Sequence, residues 1–119
     1  IQMKKETIAQ VLQFTEVRNW MQFHNPKDLA ISICLGAAEL LEVFQWSADD
    51  TECSDKIDRI REELADVLNY CILMADAYGL DLDEIILEKL KKNEQKYPVN
   101  KAYGKKEKYT QLKNQTDNM

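Results

Sequence analysis

The sequence predicts an all-α fold, a four-helix bundle, on three observations. Three Gly and two Pro among 119 residues leave little material for the tight turns of an all-β chain. Apolar residues recur at steps of three to five, the helical period. Start and stop signals then divide the chain into four long segments.

The first helix is expected from about Lys4 to Trp20, with Ile8, Val11, Leu12 and Val17 on one side. A short connection, Met21 to Asn25, follows. Asn25-Pro26 is a strong start signal, because Asn caps, Pro takes the first helical position and Asp28 complements the positive helix end. The second helix continues to about Trp46. Its first half is apolar nearly all round, which predicts burial between neighbours. After the polar loop SADDTEC, Ser54 is placed to cap a third helix that runs to Tyr78 and stops at Gly79. Asp81 with Glu84 forms a capping-box-like start for the fourth, which ends before Pro98. The remaining tail reads as irregular. Residues 1–111 are expected to form one domain, with 112–119 a polar tail.

A hydrophobic content of 45% with 31% charge is that of an ordinary globular chain and argues against disorder. The longest apolar run, Ala30 to Ala38, is about half of a membrane span. No leader segment is expected. Cys34, Cys53 and Cys71 lack the close pairing of a zinc or redox motif and read as reduced, which predicts a cytoplasmic protein with Cys34 and Cys71 in the core. The net charge of −5 conceals an asymmetry, since residues 89–113 carry nine Lys against two Glu. An acidic body with a basic C-terminal segment argues against nucleic-acid binding.

The chemistry lies in spaced carboxylates. Glu39 and Glu42 are three residues apart on the second helix, and Glu63 and Asp66 are three apart on the third. Each pair shares a helix face. If those faces meet, the acids repel one another unless protons or a divalent cation neutralise them. Trp46 returns to the face of Glu39 and Tyr70 to that of Glu63, while Asn69 follows Asp66 by three. An acidic end for phosphates beside an aromatic end for a base suits a nucleotide. The plainer alternative is two amphipathic helices whose acids face water. Trp20, Phe23 and the sole histidine, His24, sharpen the balance toward binding, because they crowd a short inter-helix connection.

The segments EVRNWMQFHNPKDLAISICLGAAELLEVFQW, EELADVLNYCILMADAYGLDL and NEQKYPVNKAYGKKEKYT resemble the MazG-like all-α nucleoside triphosphate pyrophosphohydrolases, in the branch containing the dCTP pyrophosphatases. The resemblance covers about residues 10–111. It implies Mg²⁺-dependent hydrolysis of a nucleoside triphosphate, with a deoxyribonucleotide such as dCTP expected, to monophosphate and pyrophosphate in a house-cleaning role. The family's metal motif is ExxE, a spacer, then ExxD. Its second half falls on Glu63 and Asp66. Glu39 matches the second Glu of the first half, and Gly36 stands where the first should be.

Glu42 is displaced from the missing position by one helical turn, about 5.4 Å, and is an auxiliary metal ligand, with Glu62 a further support. Glu39, Glu63 and Asp66 are thus the expected catalytic set. The resemblance also implies base and sugar contacts at Trp20, Phe23, His24, Trp46 and Tyr70, and phosphate contacts at Lys96 and Lys108. Gly36 has no evident structural benefit in the sequence, since Gly inside a helix costs about 1 kcal/mol against Ala. It raises the alternative of a catalytically weak or inactive nucleotide-binding paralogue, and a helical interaction protein whose acids face solvent is a third reading. A homodimer or homotetramer is expected, from the resemblance and from the apolar second helix.

Overall fold

The structure, a computed structural model, describes residues 5–105. Among these residues all regular structure is helical: α1 (Lys5–Val17), a 3₁₀ turn (Trp20–Phe23), α2 (Pro26–Glu42), a second 3₁₀ turn (Ser54–Lys56), α3 (Ile57–Ala77), α4 (Leu82–Lys96) and α5 (Val99–Ala102). The all-α expectation holds, and none of these helices is long and apolar enough to cross a membrane. Backbone proximity groups the chain into two compact units, Ile1–Asp81 and Leu82–Met119.

In the first unit α2 and α3 form an antiparallel pair, and α1 packs on α3. The start of α2 is built as its sequence dictates. The Asp28 amide donates to Asn25 Oδ1 at 2.9 Å, and Asn25 Nδ2 donates to Asp28 Oδ2 at 2.7 Å, with Pro26 in the first turn. Leu29, Gly36 and Val43, seven residues apart, are the buried positions along this stretch. On α3 the buried positions are Ile72, Leu73 and Ala75. Gly79, at φ 64°, ends that helix in the left-handed region, as its position predicts. In the second unit α4 starts with Asp83 and Glu84 and finishes with Lys96, the charge order that suits a helix dipole.

Several boundaries differ from the sequence reading. The first helix stops at Val17 because Asn19 adopts φ 54°, and Trp20 belongs to the following 3₁₀ turn. The second stops at Glu42, and Phe44 and Gln45 donate to Leu41 and Glu42 as successive turns. Ser54 lies within a 3₁₀ turn, so it does not cap the third helix, whose preceding residue Lys56 makes no side-chain cap. A short helix, α5, stands in the segment read as irregular. Burial is also redistributed. Cys34 is exposed and Cys71 half-buried, whereas Cys53 is buried in the loop after α2. There Asp50 Oδ1 accepts from the amides of Glu52 and Cys53, both at 3.1 Å, which favours the carboxylate and lowers the Asp50 pKa. The apolar second helix is only half covered within one chain, for Ile31 and Leu35 remain exposed.

Gly36 has the structural role that the sequence concealed. It is buried against α3, and a Cβ there would stand 3.3 Å from Val67 Cγ2 and 3.8 Å from Tyr70 Cδ2. A side chain there would need Val67 to give by a few tenths of an ångström, so the close packing bears on the propensity cost of a helical glycine.

Two stability effects follow. Replacing Leu29, 1% exposed, by Ala should cost about 2–5 kcal/mol in chemical denaturation. In a double-mutant cycle, Gly36→Ala should stabilise a Val67→Ala background by about 1 kcal/mol through helix propensity, and stabilise the wild type by at least about 0.5 kcal/mol less. Equal effects in both backgrounds would show that position 36 does not feel Val67.

Candidate functional site

The antiparallel α2–α3 pairing sets Glu39 opposite Glu63 and Asp66. One carboxylate oxygen of each lies within 4.8 Å of the others. Glu63 and Asp66 share a face because they are three residues apart on α3, and Glu39 joins them one turn beyond the Gly36 contact. Glu42, the last residue of α2, is exposed and stays outside this group, as does Glu62. No side chain at position 36 adds a fourth acid.

The group is electrostatically frustrated. Glu63 is half-buried, and its Oε2 is shielded from solvent without a hydrogen-bond partner. Its pKa is raised, first by burial, then by a close approach to Glu39 where a proton can be shared, then by repulsion from Glu39 and Asp66. Arg59 acts in the opposite direction. A buried carboxylate oxygen without a donor, facing two further acids, is a donor set for a hard divalent cation. The residues present therefore fit a metal ion.

A cavity of about 470 Å³ opens beside this group, with Asp66 in its wall. From α3 it receives Asn69, Tyr70 and Leu73 as well, which continue the Asp66 face by one and two turns. From α1 it receives Thr7, Gln10, Val11, Phe14 and Thr15, and the connection supplies Trp20 and His24. Phe14 and Trp20 meet edge to face at 5.7 Å between ring centroids and 77°. The Arg18 guanidinium lies 3.7 Å from the Phe14 ring centroid and 5.9 Å from that of Trp20, which braces the pair. His24 presents a buried Nδ1 that has no hydrogen-bond partner.

Of the residues singled out in the sequence, the structure brings together Glu39, Glu63 and Asp66 as one group, and Trp20, His24 and Tyr70 around the adjoining cavity. Phe23, 63% exposed, and Trp46, 85% exposed, do not line it. The reason for Trp46 is the early end of α2, after which the chain no longer holds the Glu39 face. Lys96 ends α4 in the second unit, and Lys108 lies outside the described residues. Sequence reasoning missed the contribution of α1. Thr7, Gln10, Val11 and Phe14 do fall at i, i+3, i+4 and i+7, but their mixed polarity hides the stripe from an apolar-periodicity search.

The MazG-like family model matches residues 31–112, a span that includes the three acids. The chain belongs to the MazG-like family. It is 36% identical over 106 residues to dCTP pyrophosphatase 1 of Mus musculus and 33% identical over 105 residues to that of Homo sapiens. In both comparisons 84% of this chain is covered, and the chain spans 62% of the length of those relatives. A solved pyrophosphatase from Archaeoglobus fulgidus is 35% identical, with a TM-score of 0.69, covering 82% of this chain and 98% of that one. The all-α MazG-like fold thus agrees with a solved structure as well as with the sequence motifs.

The raised Glu63 pKa makes the metal-free MazG-like fold sensitive to pH. The unfolded chain releases this proton near the ordinary value of 4.5, whereas the folded chain holds it to higher pH. The Glu63 contribution is therefore fully present below that value and is lost as pH rises through the raised pKa. Denaturation of chelator-treated protein across the acidic-to-neutral range should show this loss, and Glu63→Gln should flatten it. An unchanged profile in the variant would place the pH dependence elsewhere.

Proposed function

We propose that this chain is a nucleoside triphosphate pyrophosphohydrolase, acting on deoxyribonucleotides, with a pyrimidine such as dCTP as the preferred base. The observation that carries the reading is the convergence of three carboxylates, one of which, Asp66, also lines a cavity walled by Trp20, His24 and Tyr70. Metal and phosphates take the acidic end, and sugar and base take the cavity. The names of the relatives support the same reading, since two are dCTP pyrophosphatases and the solved structure is a pyrophosphatase. Residues 1–111 are the functional domain, and Lys96 and Lys108 are assigned to phosphate contacts. A homodimer or homotetramer would cover the exposed Ile31 and Leu35 of α2.

Glu39, Glu63 and Asp66 are the side chains that hold Mg²⁺, while Glu42, outside their group, is not among them. When bound, Mg²⁺ supplies charge neutralisation at the phosphates. Mg²⁺ retains several waters and needs only one or two carboxylates beside substrate phosphates, so a three-acid site suffices. Trp20 and Tyr70 offer faces to the base, and the buried Nδ1 of His24 offers a polar contact to base or sugar. Water attacks the α-phosphorus, the bridging bond to the β-phosphate breaks and pyrophosphate leaves. A carboxylate of the trio accepts the water's proton.

A second reading, a nucleotide-binding paralogue with weak turnover, is favoured by one observation, the packing of Gly36 against Val67 where a fourth acid would otherwise enter. Pyrophosphate release from each dNTP with Mg²⁺ separates the two. The first reading expects turnover by the wild type, abolished by chelation and lowered about 100-fold or more by Asp66→Asn. The second expects turnover only when Gly36→Glu is introduced together with Val67→Ala, which makes room for the new side chain. Absence of both hydrolysis and dNTP-dependent thermal stabilisation would overturn both readings.

A further inference from the structure

We infer that Asn69 and Gln10 are the residues that set base specificity, their two carboxamides reading the hydrogen-bonding edge of the nucleobase held in the cavity. The inference rests on the pyrophosphohydrolase reading and deepens it. Asn69 on α3 and Gln10 on α1 line the same cavity as Asp66. Asn69 stands three residues past Asp66, about 4.5 Å along the helix axis, and Leu73 lies a further turn away, about 6 Å. A nucleotide with its phosphates at the acids therefore carries its base into the zone of Asn69.

Asn69 is exposed on α3, where it lines the cavity. Asn favours caps and turns, where its side chain bonds nearby backbone, and it weakens a helix interior. Here it sits mid-way along α3, in the 21-residue helix Ile57–Ala77. Neither its carboxamide nor that of Gln10 makes a side-chain hydrogen bond to another described residue, although both groups line a cavity with apolar and aromatic walls. Polar groups left unpaired when a ligand displaces cavity water carry a penalty that the ligand must remove.

The chemistry of the base supplies the partner. A carboxamide presents a donor and an acceptor side by side. Cytosine shows the complementary pair at its Watson–Crick edge, the N4 amino donor beside the N3 acceptor. Trp20 and Tyr70 cannot provide discrimination, because stacking tolerates every base. Edge groups must do so, and a site built to hydrogen-bond its substrate rejects analogues far more strongly than an apolar pocket does.

The test uses the full chain, with Asn69→Leu and Gln10→Leu beside the wild type. Leu improves helix propensity at position 69 and matches Gln at position 10, and thermal melting verifies folding. For each protein, kcat/KM is measured for all four dNTPs, and thermal stabilisation by each dNTP with Mg²⁺ is measured independently of turnover. The expected result is a fall of about tenfold or more in kcat/KM for the preferred dNTP, mainly through KM. The poorer dNTPs change little, so the spread among the four narrows, and stabilisation by the preferred dNTP falls in parallel. Folded variants that keep the wild-type ranking and spread overturn the inference while leaving the pyrophosphohydrolase reading intact. A wild type that binds dNTPs without hydrolysing them overturns turnover, and the inference is then decided by the binding ranking. A wild type that neither hydrolyses nor binds overturns both.

Discussion

The close approach of α2 to α3 at Gly36 is the constraint on which the rest depends. With hydrogen alone on that Cα, Val67 and Tyr70 pack almost against the α2 backbone. One turn further along the antiparallel pair the same approach brings Glu39 to Glu63 and Asp66. A Cβ added at the crossing would require the Val67 side chain to give by a few tenths of an ångström. The glycine removes a potential fourth carboxylate, and the remaining three crowd together one turn away.

That compression is electrostatically costly. Burial, a close carboxyl neighbour and a second anion all disfavour ionised Glu63, and its Oε2 faces no donor. Such an arrangement stores unfavourable energy in the folded chain until a proton or a cation relieves it. Stability and the protonation of Glu63 are thus coupled through the same three side chains.

The cavity shows a different division of labour. One side comes from α3, with Asp66, Asn69, Tyr70 and Leu73, while most of its aromatic wall comes from α1 and the connection after it. Asn19 in the left-handed region turns the chain so that Trp20 meets Phe14, and Arg18 stacks over both rings. An aromatic wall of this kind offers flat faces, while the polar groups of the cavity come from its other surfaces.

The sequence by itself determined the helices, the cap at Asn25 and the stop at Gly79, because these rest on local hydrogen bonding and backbone preference. It also determined the acid pairs on α2 and α3 and the family, because three-residue spacing fixes which side chains share a helical face. Only the tertiary structure decided which acids converge. Glu39 joins Glu63 and Asp66, and Glu42 stands apart, for the register of two helices depends on packing between residues distant in sequence. The same reason explains the contact of Gly36 with Val67, invisible until the two helices are seen together, and the entry of Gln10 into the cavity, on a stripe of α1 whose mixed polarity hid it. Trp46 marks the opposite error. Its heptad spacing from Glu39 assumed a helix that in fact ends at Glu42, and local spacing carries no information once the helix that defines it has stopped.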